Sequence, residues 1–113
     1  MIAVGDIDND GKAEILVGSV VKRLNRTDVR QVERYSMNAG SLENKGTVLS
    51  EEAAGGYGMA VADVNADLAN ELVVADASGI RVYGMTNGNL APVWSMQGAF
   101  DAVPTVGAGD VDD

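Results

Sequence analysis

Short apolar runs, separated by polar and glycine-rich segments, make up most of the chain. Runs of this length bounded by turn-forming residues are typical of β-strands, whereas helices need longer periodic segments. The segment Glu71–Ala75 is apolar after its first residue and does not alternate, as expected for a strand covered on both faces. The pattern predicts eight strands, at Ile2–Gly5, Ile15–Val21, Gln31–Met37, Gly46–Leu49, Met59–Ala62, Glu71–Ala75, Ile80–Tyr83 and Pro92–Met96.

Turn signals connect the last two strands of each half of the chain. Thr86-Asn87-Gly88-Asn89 contains the Asn-Gly pair favoured in two-residue hairpin turns, and Asn38-Ala39-Gly40 lies at the corresponding place in the first half. The basic-rich stretch 22–34 is the one segment in which a short helical turn could form. The sequence therefore predicts an all-β protein.

The chain repeats its own sequence. The segment MIAVGDIDNDGKAEILVGS (1–19) aligns with GMAVADVNADLANELVVAD (58–76), which places Asp6 on Asp63. A third copy begins in TVGAGDVDD (105–113), where Asp110 takes the same place. The successive offsets are 57 and 47 residues, a length typical of the four-stranded blades of a β-propeller.

The repeats set the predicted domain boundaries. We predict two four-stranded antiparallel β-propeller blades, at residues 1–57 and 58–104, and the start of a third blade at 105–113. Two blades cannot close a ring, and they leave sheet faces and edges open. We therefore expect a fragment of a larger propeller, or a ring completed by further copies of the chain, with self-association through open blade edges.

Composition and charge exclude several kinds of site. The chain has 113 residues and a net charge of −9, so it should repel nucleic acid and anionic membranes. It contains no cysteine and no histidine, which excludes disulfides, thiolate metal sites and a histidine base. Its apolar runs are too short to predict a membrane span. Clustered carboxylates in such a chain suit a hard cation.

The segment GDIDNDGKAEILVG, residues 5–18, carries the strongest chemical signal. Its alternating aspartates aim several carboxylates at one point, its glycine permits a left-handed turn, and its glutamate can close a shell of oxygens around Ca²⁺. An EF-hand would need that glutamate at loop position 12, which is Val17 here and Val74 in the second copy. The loop is therefore predicted to join two strands of a hairpin.

The pattern D-x-D-x-D-G-x-x-[DE], followed by three apolar residues, resembles the FG-GAP (VCBS-type) repeat. That repeat builds the propellers of integrin alpha subunits and of many bacterial surface or secreted proteins. The resemblance implies that the loop between the first two strands of each blade binds Ca²⁺. In loop 6–14 the implied ligands are Asp6, Asp8, Asp10, Glu14 and the backbone carbonyl of Lys12. In loop 63–71 they are Asp63, Asn65, Asp67, Glu71 and the backbone carbonyl of Ala69.

The second loop departs from the family pattern. Leu68 stands where the motif has glycine, and a side chain at positive φ costs about 1–2 kcal/mol. Asn65 also removes one charge from the ligand set. We therefore expect the second site to be weaker than the first, or absent. The alternative interpretation of both loops is an Asx-rich turn that holds no metal.

Two further features have a functional and a structural interpretation. The basic cluster between Lys22 and Arg34 could bind a polyanion, but we expect a solvated outer hairpin, partly paired with Asp28 and Glu33. Trp94 could stack on a sugar, but we expect an aromatic side chain packed at an edge strand.

The resemblance implies a non-catalytic, calcium-stabilised propeller segment of an extracellular or cell-surface protein, serving adhesion or ligand binding. Its partner would be a protein or a carbohydrate bound by the complete propeller. The alternative is a part of a propeller polysaccharide lyase similar to rhamnogalacturonan lyases, which carry comparable calcium loops. The chain offers no histidine base for that reaction, and fold alone does not decide function. A cytoplasmic scaffold is disfavoured, because such loops suit the high calcium concentration outside cells.

Overall fold

A computed structural model of the protein describes residues 1–53 and 55–97, and all regular structure in them is β. The predicted start of a third blade at 105–113 lies outside the described residues. No helix that could span a membrane occurs in the described ranges. The strands are β1 (Ile2–Gly5), β2 (Glu14–Val21), β3 (Val29–Asn38), β4 (Ser41–Glu52), β5 (Tyr57–Ala62), β6 (Glu71–Asp76), β7 (Gly79–Thr86) and β8 (Asn89–Gln97).

The strands form two separate four-stranded antiparallel sheets, in the orders β1-β2-β3-β4 and β5-β6-β7-β8. Each strand pairs with the next one along the chain, which is the arrangement of a propeller-like blade. The predicted all-β architecture of two four-stranded antiparallel sheets is confirmed. We call residues 2–52 blade 1 and residues 57–97 blade 2.

All eight predicted strands are present, and β4 differs most from its predicted bounds. The prediction covered only 46–49, whereas the strand runs over Ser41–Glu52. The added residues are polar except for Leu42 and are largely exposed, so they form no apolar run. Their backbone hydrogen bonds to β3 nevertheless continue to the hairpin turn, where Asn38 pairs with Ser41.

Both hairpins close through the predicted two-residue turns. Ala39 and Gly40 have φ values of 53° and 82°, and Asn87 and Gly88 have 53° and 83°. Positive φ at both central positions is the backbone of a type I′ turn, whose twist matches that of the flanking strands. The two blades therefore share the same turn between their last two strands.

The prediction that a short helical turn could form in 22–34 was wrong, because residues 22–28 form a loop and β3 begins at Val29. Arg23 Nε donates a hydrogen bond of 2.8 Å to the carbonyl of Thr27. Lys22 pairs with Asp28 at 2.8 Å, as predicted, and Arg23 pairs with Glu52 at 2.6 Å. These side-chain contacts hold a loop that turns at Leu24 and Asn25, where Asn25 has a φ of 60°.

The two blades pack face to face. One buried cluster joins inward residues of blade 1 to Tyr57, Met59, Leu72, Val74 and Tyr83 of blade 2. Glycine allows the closest approach, since a Cβ at Gly5 would lie 2.6 Å from Val61 Cγ1 and one at Gly18 would lie 2.6 Å from the Tyr57 hydroxyl. Larger residues at either position would force the sheets apart.

A buried ionic network crosses the interface between β3 and β4 of blade 1 and β6 and β7 of blade 2. Arg30 of β3 is fully buried, and its Nη2 lies 2.8 Å from Asp76 Oδ2 at the end of β6. Its guanidinium also lies 4.4 Å from the ring centroid of Tyr57. The Tyr83 hydroxyl donates to Glu51 at 2.8 Å. The expectation that the whole basic cluster is solvated was therefore wrong for Arg30.

The partners of Asp76 explain how a buried carboxylate stays charged. Burial alone would raise the pKa of Asp76, but hydrogen bonds from Ser78 and the Arg30 guanidinium outweigh it and hold that pKa well below its usual range. Burial, together with Glu51, raises the pKa of the Tyr83 hydroxyl above its usual value. The interface thus combines a buried, hydrogen-bonded ionic network with an apolar cluster.

Each blade leaves one face uncovered among the described residues. Ile2 and Val4 of β1 are 66% and 60% exposed, although they occupy the repeat positions of Met59 and Val61, which face blade 1. At the other end, Val64 is 48% exposed, whereas its repeat equivalent Ile7 is fully buried under blade 2. The free faces therefore carry exposed apolar side chains at the repeat positions whose equivalents are buried between the blades.

We expect the isolated chain to self-associate through these free faces, because association removes their exposed apolar side chains from water. Size-exclusion chromatography with light scattering should give a concentration-dependent mass above 11.7 kDa. Val4→Lys should shift the mass towards the monomer. Leu24→Lys is the matched control, since Leu24 is exposed in the loop before β3 and should leave association unchanged. A stable monomer at every concentration would contradict this expectation.

Arg30→Gln should lower the free energy of unfolding by about 3–5 kcal/mol, because it leaves the buried carboxylate of Asp76 without its cation. Urea denaturation followed by tryptophan fluorescence measures the effect. Arg26→Gln is the control, since Arg26 is an exposed partner of Glu52 and should change stability little. Equal effects of the two substitutions would show that the buried network does not hold the blades together.

Candidate metal sites

The two predicted metal loops lie at equivalent places in the two blades. The first joins β1 to β2, and the second joins β5 to β6. Gly5 pairs with Glu14 at the last rung of the first hairpin, and Ala62 pairs with Glu71 in the second. The first aspartate of each loop therefore follows a residue that pairs with the glutamate at the end of the loop. This pairing explains why the two ends of each loop lie close together.

The aspartates of the first loop accept hydrogen bonds from the loop's own backbone. Asp6 Oδ1 accepts from the N–H of Asp10 at 3.0 Å, and Oδ2 accepts from the N–H of Gly11 at 2.8 Å. Asp10 Oδ1 accepts from the N–H of Lys12 at 2.8 Å, and Asp8 Oδ1 makes a longer contact of 3.3 Å with the N–H of Asp10. These bonds fold the backbone around the carboxylates.

Glu14, the first residue of β2, contacts the first loop through its side chain. Its side chain is buried, and Oε2 accepts the N–H of Ile7 at 3.0 Å. Burial, with the neighbouring carboxylates of Asp8 and Asp10, raises the pKa of Glu14 to about 7. A divalent cation among these groups would reverse that effect, because it favours the carboxylate form.

The second loop reproduces the first bond for bond. Asp63 accepts from the N–H groups of Asp67 and Leu68 at 3.2 and 2.9 Å, and Asp67 accepts from the N–H of Ala69 at 2.9 Å. Asn65 Oδ1 accepts from Asp67 at 3.2 Å. Glu71 is also buried and accepts a hydrogen bond from the N–H of Val64 at 3.0 Å. Its burial is the main reason why its pKa is raised above the usual value.

The structure brings the predicted carboxylates of each loop together. Carboxylate oxygens of Asp6, Asp8, Asp10 and Glu14 lie within 4.8 Å of one another, and so do those of Asp63, Asp67 and Glu71. Oxygens of carboxylates, amides and backbone carbonyls are the donors that a hard cation such as Ca²⁺ prefers, so both sets fit that ion. Lys12 and Ala69 lie in the loops with their N–H groups held by the preceding aspartates.

Left-handed backbone occurs at the same places in both loops. Gly11 has φ 87°, and Leu68 at the equivalent position has φ 71°, so the predicted strain at Leu68 is present. Asn9 and Ala66 both have φ 61°, which the sequence analysis did not predict. The second loop thus keeps the fold of the first without its glycine.

Two contacts tie the second loop to the first. The N–H of Asn70 donates to Asn9 Oδ1 at 2.9 Å, and Asn70 Nδ2 donates to the carbonyl of Asp6 at 2.8 Å. Asn70 was not predicted from the sequence, because its repeat equivalent is Ala13 and no motif marks it. The contacts couple the positions of the two loops.

Two other neighbours of the loops differ from the sequence-based expectation. Arg34 Nη1 lies 3.1 Å from Asp8 Oδ2, although the basic cluster was expected to face solvent. Trp94, expected to be packed, is half exposed beside the second loop, where it lines an open cavity of about 490 Å³ with Val64, Asn65, Val82 and Val93.

Leu68→Gly should stabilise the chain by about 0.5–1 kcal/mol, because it removes left-handed strain while no packing is lost from a side chain that is 93% exposed. Gly11→Ala is the reciprocal change. A Cβ there would meet no atom within 4 Å, so its expected cost of about 1 kcal/mol is backbone strain alone. Urea denaturation in chelator measures both, and a destabilising Leu68→Gly would contradict the strain argument.

Comparison with known proteins identifies the repeat. A family model described as FG-GAP-like repeat matches residues 6–74, a range that begins at the first aspartate of the first loop and includes the whole second loop. No curated protein and no solved structure matches the chain. The match covers more than half of the chain and includes both loops. The chain therefore belongs to the FG-GAP-like repeat family.

Proposed function

We propose that the chain is a calcium-binding, non-catalytic propeller segment of an extracellular or cell-surface protein that serves adhesion or ligand binding. The observation that carries the proposal is the convergence of four carboxylates in the first loop, with oxygens within 4.8 Å of one another. Family membership supports the propeller-like segment. Calcium binding, the extracellular location and the partner are the parts that we propose in addition.

Repulsion among the carboxylates of the first loop favours the binding of a cation. Four carboxylates this close destabilise one another unless cations or protons neutralise them, and burial together with the neighbouring Asp8 and Asp10 raises the pKa of Glu14 to about 7. The N–H of Lys12 is the main cause that lowers the pKa of Asp10, so this carboxylate stays charged and ready for a cation. A divalent ion is the simplest partner for such a set.

Calcium suits the loops better than magnesium. Ca²⁺ accepts about six to eight oxygens in flexible geometry, which four carboxylates and the Lys12 carbonyl can largely supply. Mg²⁺ requires a strict octahedron and retains several waters, so it gains less from a dense protein shell. Mono- or bidentate binding by Glu14 would complete the calcium shell without rearranging β2, which begins at that residue.

We expect the first loop to bind calcium more tightly than the second. The first has four carboxylates, whereas Asn65 leaves the second with three, and affinity rises with the charge of the ligands. The second loop has the same backbone hydrogen bonds, so its geometry is suitable despite the strain at Leu68. Its deficit is therefore one of charge more than of shape.

Calcium in this position would have a structural role. An ion held by Asp6 and Glu14 would connect the end of β1 to the start of β2, and the contacts of Asn70 would extend that stabilisation to blade 2. Loops of this kind suit calcium concentrations found outside cells, which supports an extracellular location. The complete propeller would then present a rigid surface to a protein or carbohydrate partner.

Thermal unfolding in millimolar calcium and in excess chelator tests the proposal. Because a ligand of the folded state raises the unfolding midpoint, calcium should raise it by on the order of 5–10 °C. Magnesium at the same concentration should have a much smaller effect. A cooperative transition that ignores calcium would show that the loops are only Asx-rich turns, and the proposal would fail.

Matched variants assign the shift to a loop. Glu14→Gln should remove most of the calcium-dependent shift, and Glu71→Gln should remove little, because the first loop carries the larger charge. Both glutamates are buried at equivalent positions, so the two substitutions differ only in which loop they affect. The reverse ranking would assign the main site to the second loop.

A further inference from the structure

One residue distinguishes the surroundings of the two loops. Arg34 lies on β3 opposite Leu16 of β2, and its guanidinium reaches Asp8 at 3.1 Å. The side chain is only 20% exposed, and its Nε has no hydrogen-bond partner among residues 1–53 and 55–97. Within the same ranges, Asp8 is the acidic residue with which Arg34 forms an ion pair.

The second loop has neither member of this pair. By the repeat offset, Asp8 corresponds to Asn65 and Leu16 corresponds to Val73. Val73 pairs with Val82 of β7, so Val82 occupies the place of Arg34. Val82 and Asn65 both line the open cavity beside the second loop. One blade therefore has a charged pair where the other has an amide and an apolar side chain.

The second loop also shows what the pair does not do. Its two aspartates, Asn65 and Glu71 accept five backbone hydrogen bonds equivalent to those of the first loop, although Val82 stands in the place of the arginine. The loop backbone therefore folds without such a cation. What the arginine adds to the first loop is positive charge beside the one carboxylate that the second loop lacks.

We propose that Arg34 is a built-in counter-cation of the first loop, which stabilises it without metal and competes with calcium for Asp8. The inference rests on the proposed calcium site. The attraction between Arg34 and Asp8 is strongest when the carboxylate is not shared with a divalent ion, and the two cations also repel each other. By linkage, whatever stabilises the metal-free loop more than the loaded loop lowers its affinity for the metal.

The counter-cation role is measured first without metal, by a double-mutant cycle in chelator. Arg34→Gln should lower the unfolding midpoint by several degrees in the chain with Asp8, because it removes the partner of a crowded carboxylate. In the Asp8→Asn chain the same substitution should have little effect, since the carboxylate is gone. Equal effects in both chains would overturn the counter-cation role, whether or not the chain binds calcium.

The competition with calcium is measured by calorimetric titration with calcium alone. Asp63→Asn with Asp67→Asn disables the second loop, so that the titration reports the first. In that chain, Arg34→Gln should tighten calcium binding by roughly 3- to 10-fold. Arg26→Gln, which removes an exposed arginine paired with Glu52, is the control and should leave affinity unchanged. Unchanged or weaker binding by Arg34→Gln would overturn the competition and indicate that the arginine orients Asp8.

Transfer of the charged pair to the second blade tests the same idea with Arg34 unchanged, so the test remains possible even if the Arg34 variants do not fold. In chelator, Asn65→Asp should lower the unfolding midpoint, and Val82→Arg should restore part of that loss by supplying the missing cation. Val82→Gln in the same background adds a polar side chain without charge and should restore nothing. Restoration by glutamine equal to that by arginine would overturn the electrostatic explanation.

The two proposals can fail separately. If the chain with both loops intact shows no calcium binding, the proposed function fails and the competition fails with it. The chelator experiments would still decide whether Arg34 neutralises the first loop. If calcium binds and Arg34→Gln leaves its affinity unchanged, the calcium site stands and only the inference about Arg34 falls.

Discussion

The packing of one sheet face on the next is the interaction on which the rest of this structure depends. Each four-stranded sheet carries apolar side chains on the face that meets the other sheet, and removing them from water is the main favourable contribution to stability. Blade 2 covers the inward face of blade 1, and close approach is possible because Gly5 and Gly18 have no side chains. This packing places β1 beside β5, and the loops that follow these strands meet at one end of the interface.

The interface combines two kinds of energy with different roles. The apolar cluster around Leu16, Leu72 and Tyr83 supplies burial, which is strong but has little directional preference. The network of Arg30, Asp76 and Glu51 supplies directional contacts, of which the Arg30–Asp76 ion pair and the hydrogen bond from Tyr83 to Glu51 connect the two blades. A slide of one sheet over the other would leave these charges buried without partners, so the network favours a single alignment of the blades.

The acidic loops face a related problem of charge at the edge of the same interface. Their aspartates bind the backbone N–H groups of the loop and thereby define its shape, but these bonds leave the negative charge in place. The first loop has Arg34 beside its additional carboxylate, and the second has Asn65 in place of that carboxylate. The two repeats thus reduce charge crowding in different ways while keeping the same backbone.

Much of the fold and of the candidate sites followed from the sequence because the contacts involved are local. Apolar runs and the plan shared by the two repeats located all eight strands, and Asn-Gly and Ala-Gly located the hairpin turns. The carboxylates of one loop lie within nine residues of one another, so they come together once β1 and β2 pair. The polar part of β4 escaped detection, since exposed strand residues need no apolar pattern. Strain at Leu68 was predictable from the motif, whereas that at Ala66 had no sequence signal.

The sequence by itself determined the repeat, the hairpins and the composition of each acidic loop. Only the tertiary structure decided which charged and polar residues lie inside. Arg30 and Arg34 belong to one basic cluster in the sequence, yet both point inward from β3, one to Asp76 and the other to Asp8. Asn70 contacts a loop 61 residues away. The physical reason is that side-chain alternation along a strand indicates two faces, but only the packing of the next sheet determines which face is buried and which partners lie there.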